Sequence, residues 1–319
     1  MRRQQSGIAL ITAVLVVALA AIAAAAILTS SNLSIHRTQN LQESELGWWY
    51  VDGVESWVKT ILQRDAEINQ YDSLKDIWAM PAALPVDEGG LRGSVVDLQG
   101  RYNVNNLGLG DRNNFNAQSA YFARLYALAT GGDESQGKAL SEAIRDYVDA
   151  DSEPTGSGGA EDADYLGFDP PRRVPNRPLQ SVSELLTVKG MTPPLYARLA
   201  PYLSALPQAT TINVNTAAPL VLQALTSQPG RDLEQFIEER VQKPAERRGD
   251  FTARVQLGGA VGGGGTPGGS DSSLVDVKSS FFELQVEAYI GTGRLALYSF
   301  LYRPGAGTPV VYGRSTFTE

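Results

Sequence analysis

Residues Ile8 to Leu28 read IALITAVLVVALAAIAAAAIL, 21 consecutive positions with no charge and a single polar side chain, Thr12. As a helix this run spans roughly 31 Å at about 1.5 Å per residue, the thickness of a bilayer's hydrocarbon core. The preceding MRRQQSG carries Arg2 and Arg3. Positive charge on that flank predicts a cytoplasmic N-terminus and a translocated remainder. A secretory signal peptide cut near Ala24-Ala25-Ala26 is the alternative. Such peptides usually carry an apolar region of only about 7–15 residues, and here the helical pattern continues. Val51, Val54, Val58 and Ile61 step by three and four, Trp48 and Trp57 extend that face, and no proline occurs before Pro81. The spacing predicts one helix from about Ile8 to Arg64, roughly 85 Å long. Its first half lies in lipid and its second half packs on a soluble domain.

With 319 residues the chain has room for about two domains. It contains no Cys, which excludes disulfides, thiolate metal sites and a cysteine nucleophile. His36 is the only histidine. A multi-His zinc site is therefore excluded, and a Ser-His-Asp triad would rest on that one residue. Its place on a polar stretch just past the membrane run reads as surface. The net charge of −8 weighs against a nucleic-acid-binding protein.

Beyond the helix, SVVDLQGRYNVNNL (Ser94–Leu107) alternates, with Gly89-Gly90 and Gly100 as breakers, and predicts a strand pair. From about 113 to 245 the period becomes helical, in AYFARLYALAT, GKALSEAIRDYVDA, SVSELLTVKG, PPLYARLAPYLSAL, AAPLVLQALTS and DLEQFIEERVQ. Gly258–Gly269, GGAVGGGGTPGG, has the composition of a linker. FFELQVEAYI and RLALYSFLYR then alternate around Gly291-Thr292-Gly293, a hairpin, and VVYGRSTF offers a third strand.

A short basic leader ending in Gly, followed by an apolar stretch that runs into a long amphipathic helix, resembles type IV pilins and pseudopilins. The resemblance implies cleavage after Gly7 by a prepilin peptidase and a mature, N-methylated start at Ile8. Most pilins carry Glu at the fifth mature position, where this chain has Thr12. An intramembrane carboxylate is expensive and needs a partner. In the family it is thought to pair with the N-terminal amine of a neighbouring subunit. Thr12 lacks that charge, which suits a position with nothing stacked above it. That absence, and a chain of twice pilin length, resemble the K-type minor pseudopilins of type II secretion. The implied fold is α+β. A pilin-like long N-terminal helix packs on a small antiparallel sheet, with a large all-α domain inserted between strands. The segments are a leader (1–7), a transmembrane part (8–28), a pilin-like helix with first strands (29–104), the inserted helical domain (105–245), and a Gly-rich loop with C-terminal strands (246–319).

The densest chemistry lies at Asp146–Asp169, DYVDADSEPTGSGGAEDADYLGFD, with eight acids and no Lys or Arg. That leaves 27 acids against 27 bases elsewhere, so the whole net charge belongs to this one segment. Asp149, Asp151 and Glu153 alternate along one arm, and Glu161, Asp162 and Asp164 follow a glycine-rich reversal. Ca²⁺ takes six to eight oxygens on a flexible frame, and it would relieve the repulsion among these acids. An EF-hand is excluded, since its sixth and twelfth positions from Asp149 are Pro154 and Ala160. A solvated acidic loop, partly neutralised by Arg172, Arg173 and Arg177, is the plain alternative. The K-type pseudopilins carry a similar D-x-D-x-x-P…G-A-E-D segment followed by residues like Pro170–Pro178, and they bind calcium there. The resemblance thus implies a structural Ca²⁺ and not a catalytic site.

SELLTVKGMTPPLYARLAPYL and NVNTAAPLVLQAL resemble helix-hairpin-helix modules, but only Lys189-Gly190 fits the phosphate-binding turn, and a structural use is favoured. Trp48-Trp49-Tyr50 reads as core packing, with a partner-facing role open. The expected function is a non-enzymatic minor pseudopilin at the tip of a periplasmic pseudopilus, initiating or capping it for export of folded exoproteins across the outer membrane. Its expected partners are the other minor pseudopilins, the major pseudopilin, the prepilin peptidase and the inner-membrane secretion platform, with no nucleic acid. Its expected place is the bacterial inner membrane, single-pass, with the bulk periplasmic. A calcium-containing hydrolase, anchored or secreted, and a DNA-binding competence-like protein are the rival classes.

Overall fold

The computed structural model describes residues 6–87, 89–110, 112–226, 228–258, 274–305 and 307–316. Leader residues 1–5 and positions 259–269 of the glycine-rich segment lie outside the described residues.

Helix α1 runs unbroken over Ser6–Ile68, 63 residues, or roughly 95 Å at about 1.5 Å per residue. Its most apolar stretch has a mean hydropathy of 2.8, and none of it is buried among the described residues. Several hydroxyls along it bond back to their own helix. Thr12 Oγ1 donates to the Ala9 carbonyl at 3.0 Å, Thr29 to Ala25 at 2.9 Å and Ser34 to Ser30 at 2.9 Å. These hydroxyls are therefore paired within the helix, as an apolar surrounding would require.

In chain order there follow β1 (Ala82–Val86), β2 (Gly89–Asp97), the two-residue β3 (Tyr102–Asn103), α2 (Arg112–Thr130), α3 (Glu134–Val148), the one-turn α4 (Asp162–Tyr165), α5 (Pro193–Leu199), β4 (Leu203–Ser204), β5 (Ile212–Asn213), α6 (Pro219–Gln223), α7 (Arg231–Glu239), α8 (Arg248–Thr252) and β6 (Val275–Asp276). The chain closes with β7 (Phe281–Ile290), β8 (Gly293–Tyr302) and β9 (Val310–Thr316). The main sheet is antiparallel in the order β1-β2-β7-β8-β9. β2 pairs with β7 directly, although the whole helical unit lies between them in sequence. The hairpin expected at Gly291-Thr292 joins β7 to β8, with Gly291 at φ 56° as such a turn requires. Glu43 of α1 accepts the backbone N–H and the hydroxyl of Thr292, both at 3.1 Å, and ties the hairpin tip to the helix.

Val51, Val58 and Leu62 of α1 pack on Leu91, Phe282, Leu284, Val286, Leu297 and Leu301 of the sheet. Glu55, on the same face, is fully buried and accepts from Ser299 Oγ at 2.7 Å and from Arg314 at 2.7 and 2.8 Å. Burial alone would raise its pKa; Arg314 and Ser299 hold it below the usual carboxylate range. The expected tryptophan packing needs correction. Trp48, Trp49 and Trp57 are exposed, and of the cluster only Tyr50 packs against this core.

The strand pair expected within 94–107 is displaced. β2 ends at Asp97, and its hairpin partner is the earlier β1. Pro85 is tolerated there because β1 is an edge strand. Gly89 and Gly90 open β2 and do not break it. From Leu98 to Leu107 the chain instead takes short 3₁₀ turns around β3. The Asp97 and Asn103 side chains drive them by accepting the N–H of Gln99 and of Asn105, at 2.8 and 3.2 Å.

The inserted unit has its own core, built on Tyr102, Phe122, Leu125, Ile144, Tyr165 and Leu185. It is mainly helical, with two short parallel ladders, β3 with β4 and β5 with β6. This core also takes in Phe251, Val255, Val275 and Val277, so the helical unit reaches well past residue 245. SVSELLTVKG folds as a 3₁₀ segment, Val182–Thr187, capped by Ser181 and Glu184.

The unit is fastened to the sheet by a buried polar knot. Asp97 accepts from Ser279 Oγ and Thr216 Oγ1, both at 2.6 Å, and from Asn213 Nδ2 at 3.0 Å. Asp72 takes two 2.6 Å contacts from Arg303 Nη2 and the Ser279 N–H at 2.7 Å. Burial pushes Asp97 up to about 6.

Candidate metal centre

The acidic segment starts at the C-terminus of α3, where the helix carbonyls already present partial negative charge. Asp149 is the C-cap, its N–H donating to the Arg145 carbonyl at 2.8 Å. An acid there is destabilising unless a cation answers it. The following loop folds back onto α3 through two acids of that helix. Asp146 accepts from the N–H of Thr155 at 3.0 Å and of Ala160 at 2.7 Å; Glu142 accepts the N–H of Gly158 at 2.7 Å. The approach is so close that a Cβ at Gly156 would strike Glu142, and one at Gly159 would strike Asp146. Gly156 also sits at φ 61°, so both features demand glycine.

The folded loop brings Asp149, Asp151 and Glu161 together, with one carboxylate oxygen of each within 4.8 Å of the others. Asp149 Oδ1 and Glu161 Oε1 are buried with no hydrogen-bond partner. Glu161 is only 6% exposed. Burial, then the charge of Asp151, pushes Asp149 up to about 6. Burial, then the charges of Asp146, Asp149 and Asp151, pushes Glu161 up to about 7. An all-oxygen donor set, two orphaned buried carboxylate oxygens and strained protonation all fit a hard divalent cation.

The expected ligand set of six thus divides. Glu153 gives only its backbone N–H, to Asp151 Oδ1 at 2.9 Å, and its exposed side chain stands apart from the cluster. Asp162 accepts the Val174 N–H at 3.0 Å and lies 3.9 Å from Arg173. Asp164 is ion-paired with Lys189 at 2.7 Å. These two brace the loop against the residues after it. The sequence reading missed Glu142 and Asn176, and it counted Asp146 among the loop's acids without giving it a role. Asn176 Nδ2 donates to the Asp151 carbonyl at 2.8 Å, from a left-handed backbone at φ 45°. The spacing of Glu142, Asp146 and Asp149 along one helix face was a signal available for the first two.

A second acidic trio, Asp65, Asp72 and Asp76, has the same closeness. There Arg303 already supplies the cation, at 2.6 Å to Asp72 and 3.2 Å to Asp65. In the helix-hairpin-helix-like turn, the Lys189 N–H donates to Tyr165 Oη at 2.9 Å and its ammonium to Asp164. Both groups that would meet a phosphate are engaged within the fold.

Two family models match the chain, both described as type II secretion system (T2SS) protein K, over residues 100–208 and 212–267. The type II secretion system protein K of Pseudomonas aeruginosa is 32% identical over 98% of this chain and 93% of its own length. That of Aeromonas hydrophila is 33% identical over 94% of each. The chain belongs to the type II secretion protein K family. Its fold agrees with a chain of the GspK-GspI-GspJ complex from the enterotoxigenic Escherichia coli type 2 secretion system, with TM-score 0.75 at 23% identity over 89% of this chain and 100% of that one. This K-family member is therefore a minor pseudopilin of type II secretion, with one apolar N-terminal helix fit to serve as a membrane anchor.

Proposed function

We propose that this K-family chain is the tip subunit of a periplasmic pseudopilus, where it initiates or caps assembly as a structural, calcium-holding part and not as an enzyme. The observation that carries the tip placement is Thr12. It stands where filament-forming relatives carry a glutamate, and its hydroxyl is already bonded to Ala9. It therefore offers no charge to a subunit above. The inserted helical unit, mounted on the sheet by the Asp97–Arg303 knot, adds bulk that repeated stacking would not accommodate.

In this reading the prepilin peptidase cuts after Gly7, Ile8 becomes the methylated N-terminus, and α1 crosses the inner membrane once with its N-terminus cytoplasmic. The secretion platform then extrudes the subunit together with its partners. Trp49 is 75% exposed, Trp57 about half, and both lie one turn from Gly53, where a Cβ would meet nothing. Helices of the other minor pseudopilins and of the major pseudopilin would lie along this face; the complex of the structural relative with GspI and GspJ supports partners of that kind. Asp149, Asp151 and Glu161 would hold the calcium, which pins the loop to α3.

N-terminal sequencing of the membrane-extracted chain tests the processing step. A methylated start at Ile8, lost in Gly7→Ala, is expected. A start near Thr29 would mark a cleaved signal peptide and overturn the reading.

A further inference from the structure

Arg145 approaches the calcium loop from inside the fold. It lies one turn before Asp149 on α3, and its Nε meets Asp149 Oδ2 at 3.2 Å, with both side chains largely buried. Its guanidinium stacks over the Phe115 ring at 4.6 Å. Stacking on a ring of the domain core holds this charge beside Asp149. With Oδ2 taken, Asp149 has Oδ1 left over, buried and without a partner. Glu161, more than nine-tenths buried, likewise leaves Oε1 unpartnered, within the same 4.8 Å cluster. Asp146, which also acts electrostatically on Glu161, has its oxygens taken by the N–H groups of Thr155 and Ala160.

We propose that Arg145 is a positioning and charge-setting residue of the cation site: it orients Asp149 and takes one unit off the negative charge that the clustered carboxylates present to a divalent ion. This rests on the calcium reading above. The guanidinium does two things. With the metal away, it partly neutralises acids that would otherwise repel one another at the end of α3. With the metal present, it lowers the excess negative charge that would favour an ion of higher charge over Ca²⁺.

The test is a pair of titrations on the full-length chain in detergent, with Ca²⁺ alone and with the trivalent ion Tb³⁺ alone, read by calorimetry and by terbium luminescence. Arg145→Gln is expected to raise the ratio of terbium to calcium affinity at least tenfold. It should also lower the melting temperature of the metal-free chain by more than that of the calcium-loaded chain. Arg145→Lys keeps the charge and should hold the ratio within about threefold of the parent. Asp149→Asn, which leaves Arg145 in place and removes one negative charge, should move the ratio the opposite way and serves where Arg145→Gln does not fold. A ratio unchanged in Arg145→Gln, or unmoved by Asp149→Asn, overturns the proposal while leaving the calcium reading intact. A parent chain that binds neither ion overturns both.

Discussion

Chelation of calcium from the full-length chain is expected to lower its melting temperature by roughly 5–10 °C near neutral pH. A ligand held at a hundredfold excess over its dissociation constant stabilises by about 2.7 kcal/mol, and each kcal/mol shifts a domain of this size by about 2–4 °C. The effect has a defined pH course. Asp149 and Glu161 have folded pKa values of about 6 and about 7, above their ordinary values of 3.8 and 4.5. The metal-free native state therefore binds more protons than the unfolded chain. The stability these two groups contribute is full below about pH 4 and is lost as pH rises through 6 and 7. Calcium needs both acids ionised, so its stabilisation should be small at pH 5 and largest above pH 7. Scanning calorimetry with and without chelator across that range checks this. A calcium increment as large at pH 5 as at pH 8 would place the ion away from Asp149 and Glu161.

Arg303→Ala is expected to cost about 3–5 kcal/mol, the range for stripping one partner from a buried ion pair. Arg303 is 4% exposed. It serves Asp72, Asp65, the Leu62 carbonyl and the Ser279 carbonyl, and it lies over the Phe282 ring at 4.7 Å. Its loss leaves Asp72 in a site whose burial already raises its pKa. Adding Asp72→Asn should restore a good part of the stability, because the stranded charge goes with it. Denaturant unfolding of the single and double variants measures both. A single-variant loss under about 1 kcal/mol, or no rescue by the second change, would show that the knot does not hold the helical unit to the sheet.

How much was legible in the sequence follows from the range of each interaction. Helix α1 and the β7–β8 hairpin were readable because their signals are local: an apolar run, a 3.6-residue period, a Gly-Thr turn. β1 was missed because Pro81 and Pro85 look like breakers, and only its place at the sheet edge excuses them. The stretch after Asp97 alternates like a strand, yet Asp97 and Asn103 cap turns there, a use of side chains that alternation does not reveal. Trp48 and Trp57 were read as core because they border the Val51–Val58 face; the narrow sheet contact leaves them outside it.

The acidic loop stood out as chemistry, but its division did not. Asp162 and Asp164 differ from Glu161 only in which distant groups reach them, Arg173 and the Val174 N–H for one and Lys189 for the other. Arg145 was invisible to a search for acids because it is the cluster's opposite charge. The tie between Asp72 and Arg303 spans almost the whole soluble chain and has no local trace at all.

The tip placement is tested most directly by counting. The chain has no Cys, so one cysteine at Arg173, whose side chain is 79% exposed, provides a unique label. Pseudopili assembled with that variant and tagged with gold should carry one particle each, at one end. Particles spaced along the filament would contradict the account.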